Sequence, residues 1–190
     1  MSASVKHFLP KIILAGLAAA GALASPAAAA PGDFDVTVTR TQYGIPHIQA
    51  KDFGGIGYGY AYSLAEDNFC TVMETYVTVN AERARYFGSD KGYSIRGNGS
   101  TANNLNSDFF YQLIKDEQRI DTLLAIKEGP NAVKTDVREG VRGYVAGWNA
   151  YLRDIGGANG IKDPACKGAP WVRPISERDV WQRFYSLALL

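Results

Sequence analysis

Gly54-Gly55-Ile56-Gly57-Tyr58-Gly59-Tyr60-Ala61-Tyr62, running on through Leu64-Ala65-Glu66-Asp67-Asn68-Phe69-Cys70, is the stretch whose conformation sets the fold. Four glycines in six residues oppose a helix by propensity, at about 1 kcal/mol each relative to alanine. The spacing favours one nonetheless. Gly55 and Gly59 stand one turn apart and give a smooth stripe that another backbone can approach, while Tyr58, Tyr62 and Ala65 share a neighbouring face. The pattern predicts a helix opened by Asp52 as N-cap, continued by Val72, Tyr76, Val79 and Ala84, and closed by Gly88 just past its end. A nucleotide-binding reading of Gly55, Gly57 and Gly59 fails. The phosphate fingerprint G-x-G-x-x-G closes a strand and opens a helix, and here the third glycine comes one residue early.

Upstream, Phe34, Val36 and Val38 alternate with Asp35, Thr37 and Thr39, the pattern of a half-buried strand. Tyr43-Gly44-Ile45-Pro46 interrupts it and His47-Ile48-Gln49-Ala50 resumes, giving a hairpin-like strand pair. Residues 1–30 have the layout of a secretory signal: Lys6 and Lys11, an apolar run from Ile12 to Ala24, then small residues from Ser25 to Ala30. The run is about thirteen residues, short of the roughly twenty that span a bilayer, so it reads as a leader cleaved after Ala28 or Ala30. The expected location is secreted or periplasmic, with no membrane attachment after cleavage. The leader holds two of the 20 basic residues and none of the 19 acidic ones, which leaves residues 31–190 with 18 against 19. That balance excludes an electrostatic nucleic-acid binder, and the length suits one domain.

Downstream, Ser89 to Asn106 is rich in Gly, Ser and Asn and reads as a surface loop. It contains the sequon Asn98-Gly99-Ser100, to which the alanine-rich leader of bacterial type gives no weight. Ser107-Asp108 is placed to cap a helix running to about Lys127, with Phe110, Leu113, Ile114, Ile120, Leu123 and Leu124 as its buried face and Gly129-Pro130 as its stop. A further helix is expected from Lys134 to Arg153, on the spacing of Val137, Val141, Tyr144, Val145, Trp148, Tyr151 and Leu152. Ser176-Glu177-Arg178-Asp179 is a capping-box-like start for a last helix whose apolar side holds Val180, Trp181, Phe184, Leu187 and Leu190. The fold class is α+β, mostly helical, with a short N-terminal strand pair.

Candidate chemistry is sparse. The only cysteines, Cys70 and Cys166, are expected to bridge in an oxidising compartment, closing about 95 residues for roughly 4 to 5 kcal/mol in the chain-entropy model. A metal pair or a nucleophile are the competing readings, both weakened because His47 is the sole histidine outside the leader. His47 itself reads as a structural residue in a strand, with no Ser or Cys motif beside it. Glu66-Asp67 and Asp116-Glu117 are carboxylate pairs by type, but adjacent helix residues do not face one another, so neither forms a two-carboxylate site. Asp67, close to Cys70 and an apolar run, is expected to be buried and paired. Glu82, Arg83 and Arg85 read as an ion-pair network. The residues taken alone also fit a free-standing secreted helical binding module held by one disulfide.

Several strings taken together carry a resemblance. They are Tyr43-Gly44-Ile45-Pro46-His47-Ile48, Gly57-Tyr58-Gly59-Tyr60-Ala61 with Ala65-Glu66-Asp67-Asn68, and Asn80-Ala81-Glu82-Arg83-Ala84-Arg85-Tyr86-Phe87-Gly88. Arg142-Gly143-Tyr144-Val145-Ala146-Gly147-Trp148-Asn149-Ala150-Tyr151-Leu152, Asp163-Pro164-Ala165-Cys166 and Trp171-Val172-Arg173-Pro174-Ile175-Ser176 follow in order. The chain resembles the penicillin acylase family, and its cysteine contexts resemble the branch of aculeacin A acylase-like and acyl-homoserine lactone acylase-like enzymes. The resemblance implies an N-terminal-nucleophile hydrolase with an αββα sandwich, whose precursor is cut into a small α and a large β subunit. Residues 31–190 then correspond to the α-subunit region, and the sandwich strands come mainly from β. The nucleophile is the serine at the new β terminus, with its own α-amine as base, so no catalytic residue falls in this chain. Gly88-Ser89 and Gly99-Ser100 resemble the cleavage signature only superficially and lie in the predicted loop. The implied partners are the β subunit and a small acyl-amide substrate. Leu187 and Ala188 are implied as lining of the acyl pocket. No cofactor is implied, and calcium, where the family has it, is bound mostly by residues outside this segment.

Overall fold

The computed structural model describes residues 34–94 and 101–189. The leader, Asn98 and Gly99-Ser100 lie outside the described residues. At the start, β1 (Val36–Arg40) pairs antiparallel with β2 (Pro46–Ala50), Val36 opposite Ala50 and Arg40 opposite Pro46. Gly44 makes the reversal possible at φ +79°, a left-handed conformation that side chains disfavour. Asp52 then accepts a 2.7 Å hydrogen bond from the Gly55 N–H and opens α1 (Phe53–Val79), which is interrupted by a non-helical Asn68.

The glycines of α1 divide between two neighbours. Gly55 and Gly59, the expected stripe, lie under the hairpin: a Cβ on Gly59 would stand 2.7 Å from Ile48 Cγ2 and 2.8 Å from Val36 Cγ2. Gly57 faces a different partner, α5 (Thr135–Asp154), which carries glycines of its own, whereas a Cβ on Gly54 would stand 2.7 Å from the Phe34 ring. A Cβ on Gly57 would overlap the Gly140 carbonyl, and Cβ atoms on Gly143 and Gly147 would overlap the carbonyls of Gly54 and Tyr58. The two helices therefore meet backbone to backbone, and the core forms along this seam. Ala61, Ala65, Met73, Val77 and Trp148 are completely enclosed, Phe69 stacks on Trp148 at 4.7 Å, and Tyr76 meets its edge at 5.9 Å. The Cys70–Cys166 disulfide is present and ties α1 to the segment carrying Ile161, Trp171 and Ile175, all buried.

The expected helix from Asp52 to Gly88 is two helices. α1 ends at Val79, Ala81 turns left-handed at φ +61°, and α2 (Arg83–Phe87) follows, closed by Gly88. The cause is Arg83, only 5% exposed. Its guanidinium donates to Asn104 Oδ1 at 2.7 Å, Glu74 Oε1 at 2.8 Å and Thr78 Oγ1 at 2.9 Å. In an unbroken helix, residues nine apart stand about half a turn from each other, so Arg83 reaches Glu74 only if the chain folds back. A buried charge left without such acceptors costs several kcal/mol, more than the strain at Ala81.

The region after Gly88 also departs from expectation. Within the predicted loop, β3 (Gly92–Ser94) and β4 (Thr101–Asn103) form a second antiparallel pair. α3 (Asn104–Asp116) starts earlier than Ser107, because Asn103 accepts the Asn106 N–H. Asp108 is engaged elsewhere, accepting the N–H groups of Arg83 and Ala84 and so serving the start of α2. The helix expected to reach Lys127 breaks at Gln118, φ +51°, and resumes as α4 (Arg119–Ala125). Of its expected buried face, Ile114 and Ile120 are buried, whereas Phe110, Leu113 and Leu123 are exposed. α5 and the final α6 (Glu177–Ala188) form within a residue or two of expectation. The chain is mostly helical and α+β, as the pattern implied.

The seam yields a paired test. Gly143→Ala drives a Cβ into the Gly54 backbone and is expected to lower stability by about 1–3 kcal/mol or more, since neither helix axis can give locally. At Gly140 the nearest atom to an added Cβ is the Phe53 carbonyl at 3.7 Å, an ordinary contact, so Gly140→Ala is expected to be neutral or to gain up to about 1 kcal/mol from helix propensity. Thermal denaturation of both variants checks the opposite signs; equal losses would contradict the seam.

Candidate functional site

α6 begins as its sequence predicts. Ser176 Oγ accepts the Asp179 N–H, and Asp179 Oδ2 accepts the Ser176 N–H at 2.6 Å, closing a capping box. Most of its inward residues are polar. Asp179, Gln182 and Ser186 are buried, while Phe184 is 47% and Leu187 50% exposed, and Ala188 is exposed beside them. Of the expected apolar side only Val180 is buried, and Leu190 lies outside the described residues. Leu187 and Ala188 thus stand on the outward surface at the end of the last helix.

This facing follows from what α6 lies against. It crosses the break between α1 and α2, where the helix end leaves polar groups in need of partners. Gln182 Nε2 donates to the Val79 carbonyl at 3.1 Å, and Asn80 Nδ2 donates to Asp179 Oδ1 at 2.5 Å. Arg173 Nη2 stands 3.5 Å from both Asp179 and Glu82. Lys115 donates to the Asn80 carbonyl from α3. Such a seat selects polar residues for the inward face and leaves the apolar ones outside. α3 shows the same arrangement, with Asn104 and Ser107 inward and Phe109, Phe110 and Leu113 outward. α4 is joined to α6 by the Arg178–Asp121 ion pair, and a shallow cleft of about 450 Å³ between them is lined by Glu117, Arg119, Thr122, Leu123 and Tyr185.

Burial alone pushes the Asp179 carboxyl up, but the hydrogen bonds from the Ser176 backbone and hydroxyl, the Arg173 charge and the Asn80 amide outweigh it. The net result holds the group below its ordinary value of 3.8. Tyr76 donates to the Tyr144 hydroxyl at 3.1 Å, and burial raises both phenols above their ordinary value.

A second cleft, about 370 Å³, lies beside the disulfide between α1 and α5, lined among others by Tyr62, Glu66, Asp67, Tyr151, Asp154 and Asp163. Its carboxylates are engaged: Arg40 pairs with Glu66 at 2.6 Å and Asp67 at 3.0 Å, Tyr62 donates to Asp154, and Asp163 accepts the Ala165 N–H. Asp67 is paired as expected but 43% exposed, since Arg40 reaches it from the hairpin side. Glu82 and Arg83 are ion-paired, to Arg173 and Glu74, while the Arg85 guanidinium lies over the Tyr86 ring at 5.3 Å. His47 is exposed on β2, opposite Thr39. Among the described residues no group of three or more His, Cys, Asp and Glu side chains converges to hold a metal ion. None of their helices is long and apolar enough to cross a membrane. Sequence reasoning missed Asn80, Arg173 and Gln182; only Asp179 carried a signal, through its capping box.

A family model described as penicillin amidase matches residues 35–188. The chain belongs to the penicillin amidase family. It is 39% identical over 170 residues to aculeacin-A acylase of Actinoplanes utahensis, covering 87% of this chain and 20% of that protein. It is 36% identical over 174 residues to the acyl-homoserine lactone acylase PvdQ of Pseudomonas syringae pv. syringae, covering 90% and 20%. This family member therefore spans about a fifth of the length of the curated relatives it matches. Its fold is that of a thermostable penicillin G acylase from Alcaligenes faecalis, with a TM-score of 0.58 at 22% identity over 82% of this chain and 73% of that one.

The Asp179 network makes stability depend on pH with a defined sign. Because folding lowers this pKa, the contribution is fully present above the ordinary carboxylate value and is lost as pH falls through the lower folded value. Asp179→Asn is expected to cost about 1–3 kcal/mol at neutral pH, with the gap to wild type narrowing below about pH 4. Urea midpoints across that range check it; a gap that widens in acid would contradict the assignment.

Proposed function

We propose that this chain is the α-subunit portion of an exported amidohydrolase that cleaves an acyl chain from an amine, in a β-lactam, a lipopeptide or an acyl-homoserine lactone. The observation that carries the reading is the inverted α6. A helix that turns polar residues to its own chain and Phe184, Leu187 and Ala188 outward lacks an apolar partner within the described residues, and full burial of one large apolar side chain is worth about 1.5–3 kcal/mol. A β subunit cut from the same precursor supplies that partner, and between the two subunits Leu187 and Ala188 wall the acyl pocket.

Chain lengths support a cut precursor. Four-fifths of the length of the curated relatives lies outside the region that matches this chain, whereas the solved penicillin G acylase chain is matched over 73% of its length and so is itself short. The chemistry supports it too. An α-amine with a pKa near 8 takes the hydroxyl proton of its own serine, the serine oxygen attacks the amide carbonyl, the amine leaves with that proton, and water hydrolyses the resulting ester. No histidine is required. The secretory leader delivers such a precursor to a compartment where Cys70 and Cys166 oxidise.

Expression of the full reading frame with its leader, followed by assay on amides of phenylacetate and of fatty acids of graded length, tests the reading. The expected result is two chains on a denaturing gel and release of the free acid, with residues 31–190 alone inactive; no release across the panel, or an in-frame stop after Leu190 with no partner chain, would overturn it. In the active enzyme Ala188→Phe is expected to cut kcat/KM for the longest accepted acyl chain by about tenfold while sparing the shortest. An unchanged length profile would remove Ala188 from the pocket.

A further inference from the structure

We infer that Asp179 is a specificity-setting positioning residue: through Asn80, Arg173 and Glu82 it fixes where the outward face of α6 stands, and thereby the length of acyl chain the enzyme accepts. The inference rests on the proposed acylase reading for its substrate. Its structural part stands on the seat of α6. Apolar packing is non-directional, whereas hydrogen bonds fix both distance and angle. α6 is held on its inward side by Val180 in the core and, from Asp179 and Gln182, by contacts of the second kind. Both carboxylate oxygens of Asp179 are in use, Oδ2 accepting from the Ser176 N–H and hydroxyl and Oδ1 from the Asn80 amide and Arg173. One oxygen therefore fixes the start of the helix, and the other ties that start to the α1–α2 break. The left-handed Ala81 lets this happen, because the reversal it makes presents Asn80 and Glu82 to the same arginine and aspartate.

Leverage turns this anchor into a specificity device. Ala188 lies nine residues beyond Asp179, about 13 Å along the helix, so a pivot of about 5° at the anchored end moves the far end by about 1 Å. That displacement is comparable with the length one methylene adds to an acyl chain. A hydrophobic pocket discriminates one methylene by about 10–200-fold, so a small loss of aim is large in selectivity. Gln182 adds a second hold one turn on, donating to the Val79 carbonyl, which lets the helix remain seated when Asp179 is weakened.

Three full-length precursors test the inference against the same graded fatty-acyl amides: Asp179→Asn, Glu82→Gln, and the exchange D179N/N80D. In the exchange, amide and carboxylate trade places and the bond across the break re-forms with its donor reversed, while the bond that Asn80 donates to the Tyr76 carbonyl at 2.9 Å is given up. Asp179→Asn is expected to reduce the kcat/KM ratio between the best amide and one two methylenes longer by about fivefold or more, mostly through KM, with kcat within about twofold. Glu82→Gln, which frees Arg173 without touching the helix cap, is expected to move the ratio the same way by less. The exchange, which re-forms the bond across the break but not the one to the Tyr76 carbonyl, is expected to recover part of the ratio lost in Asp179→Asn. A ratio unchanged in Asp179→Asn and Glu82→Gln, or an exchange that restores melting temperature but recovers none of the ratio, would overturn the inference while leaving the acylase reading intact. Should Asp179→Asn fail to mature, the other two variants decide the matter. A wild-type enzyme that hydrolyses none of the amides overturns the acylase reading and the inference together.

Discussion

The contact on which the structure depends is the backbone-to-backbone meeting of α1 and α5. Gly57, Gly143 and Gly147 lie where a Cβ would run into a carbonyl of the opposite helix, and only hydrogen at those positions lets the axes come so close. That closeness lets Phe69, Tyr76 and Trp148 interlock further along the pair, and the disulfide is anchored on α1 just beyond. The glycines sacrifice helix propensity locally, and the core formed beside them compensates. On its other side α1 takes the hairpin against Gly55 and Gly59, so one glycine-rich stretch serves two neighbours of different type.

The second organising feature is polar. Arg83 turns the chain back on itself, and the exposed end of α1 becomes a seat of carbonyls and amides that α6 covers with Asp179 and Gln182. Once its inward face is spent on that seat, the helix has nowhere but outward for Phe184 and Leu187. The feature most suggestive of function is thus a by-product of how a buried arginine is satisfied.

Much of this was legible in the residues and some was not, for identifiable reasons. The strand pair, α5, the capping box at Ser176 and the cysteine pair each rest on local spacing or on counting, and each appears in the structure. The break at Ala81 was not legible, because what forces it is acceptors on Asn104, and on Glu74 reached only after reversal, which no periodicity encodes. The facing of α6 is not encoded in its pattern on the same account. A hydrophobic pattern identifies which residues share a side, and turning that side inward assumes the chain supplies its own apolar partner. On α3 the same assumption misplaced Phe110 and Leu113.

The seam also has a history in time. Gly54 on α1 meets Gly143 on α5, segments separated by nearly the whole intervening chain. At ordinary synthesis rates of about 5–20 residues per second, the partner emerges about 4–18 s after α1 does. Through that interval the glycine-rich start of α1 has the hairpin to lean on but not α5, and closing so long a loop is the entropically slow kind of contact. The residue choice that makes the finished protein tight makes its nascent form late to set.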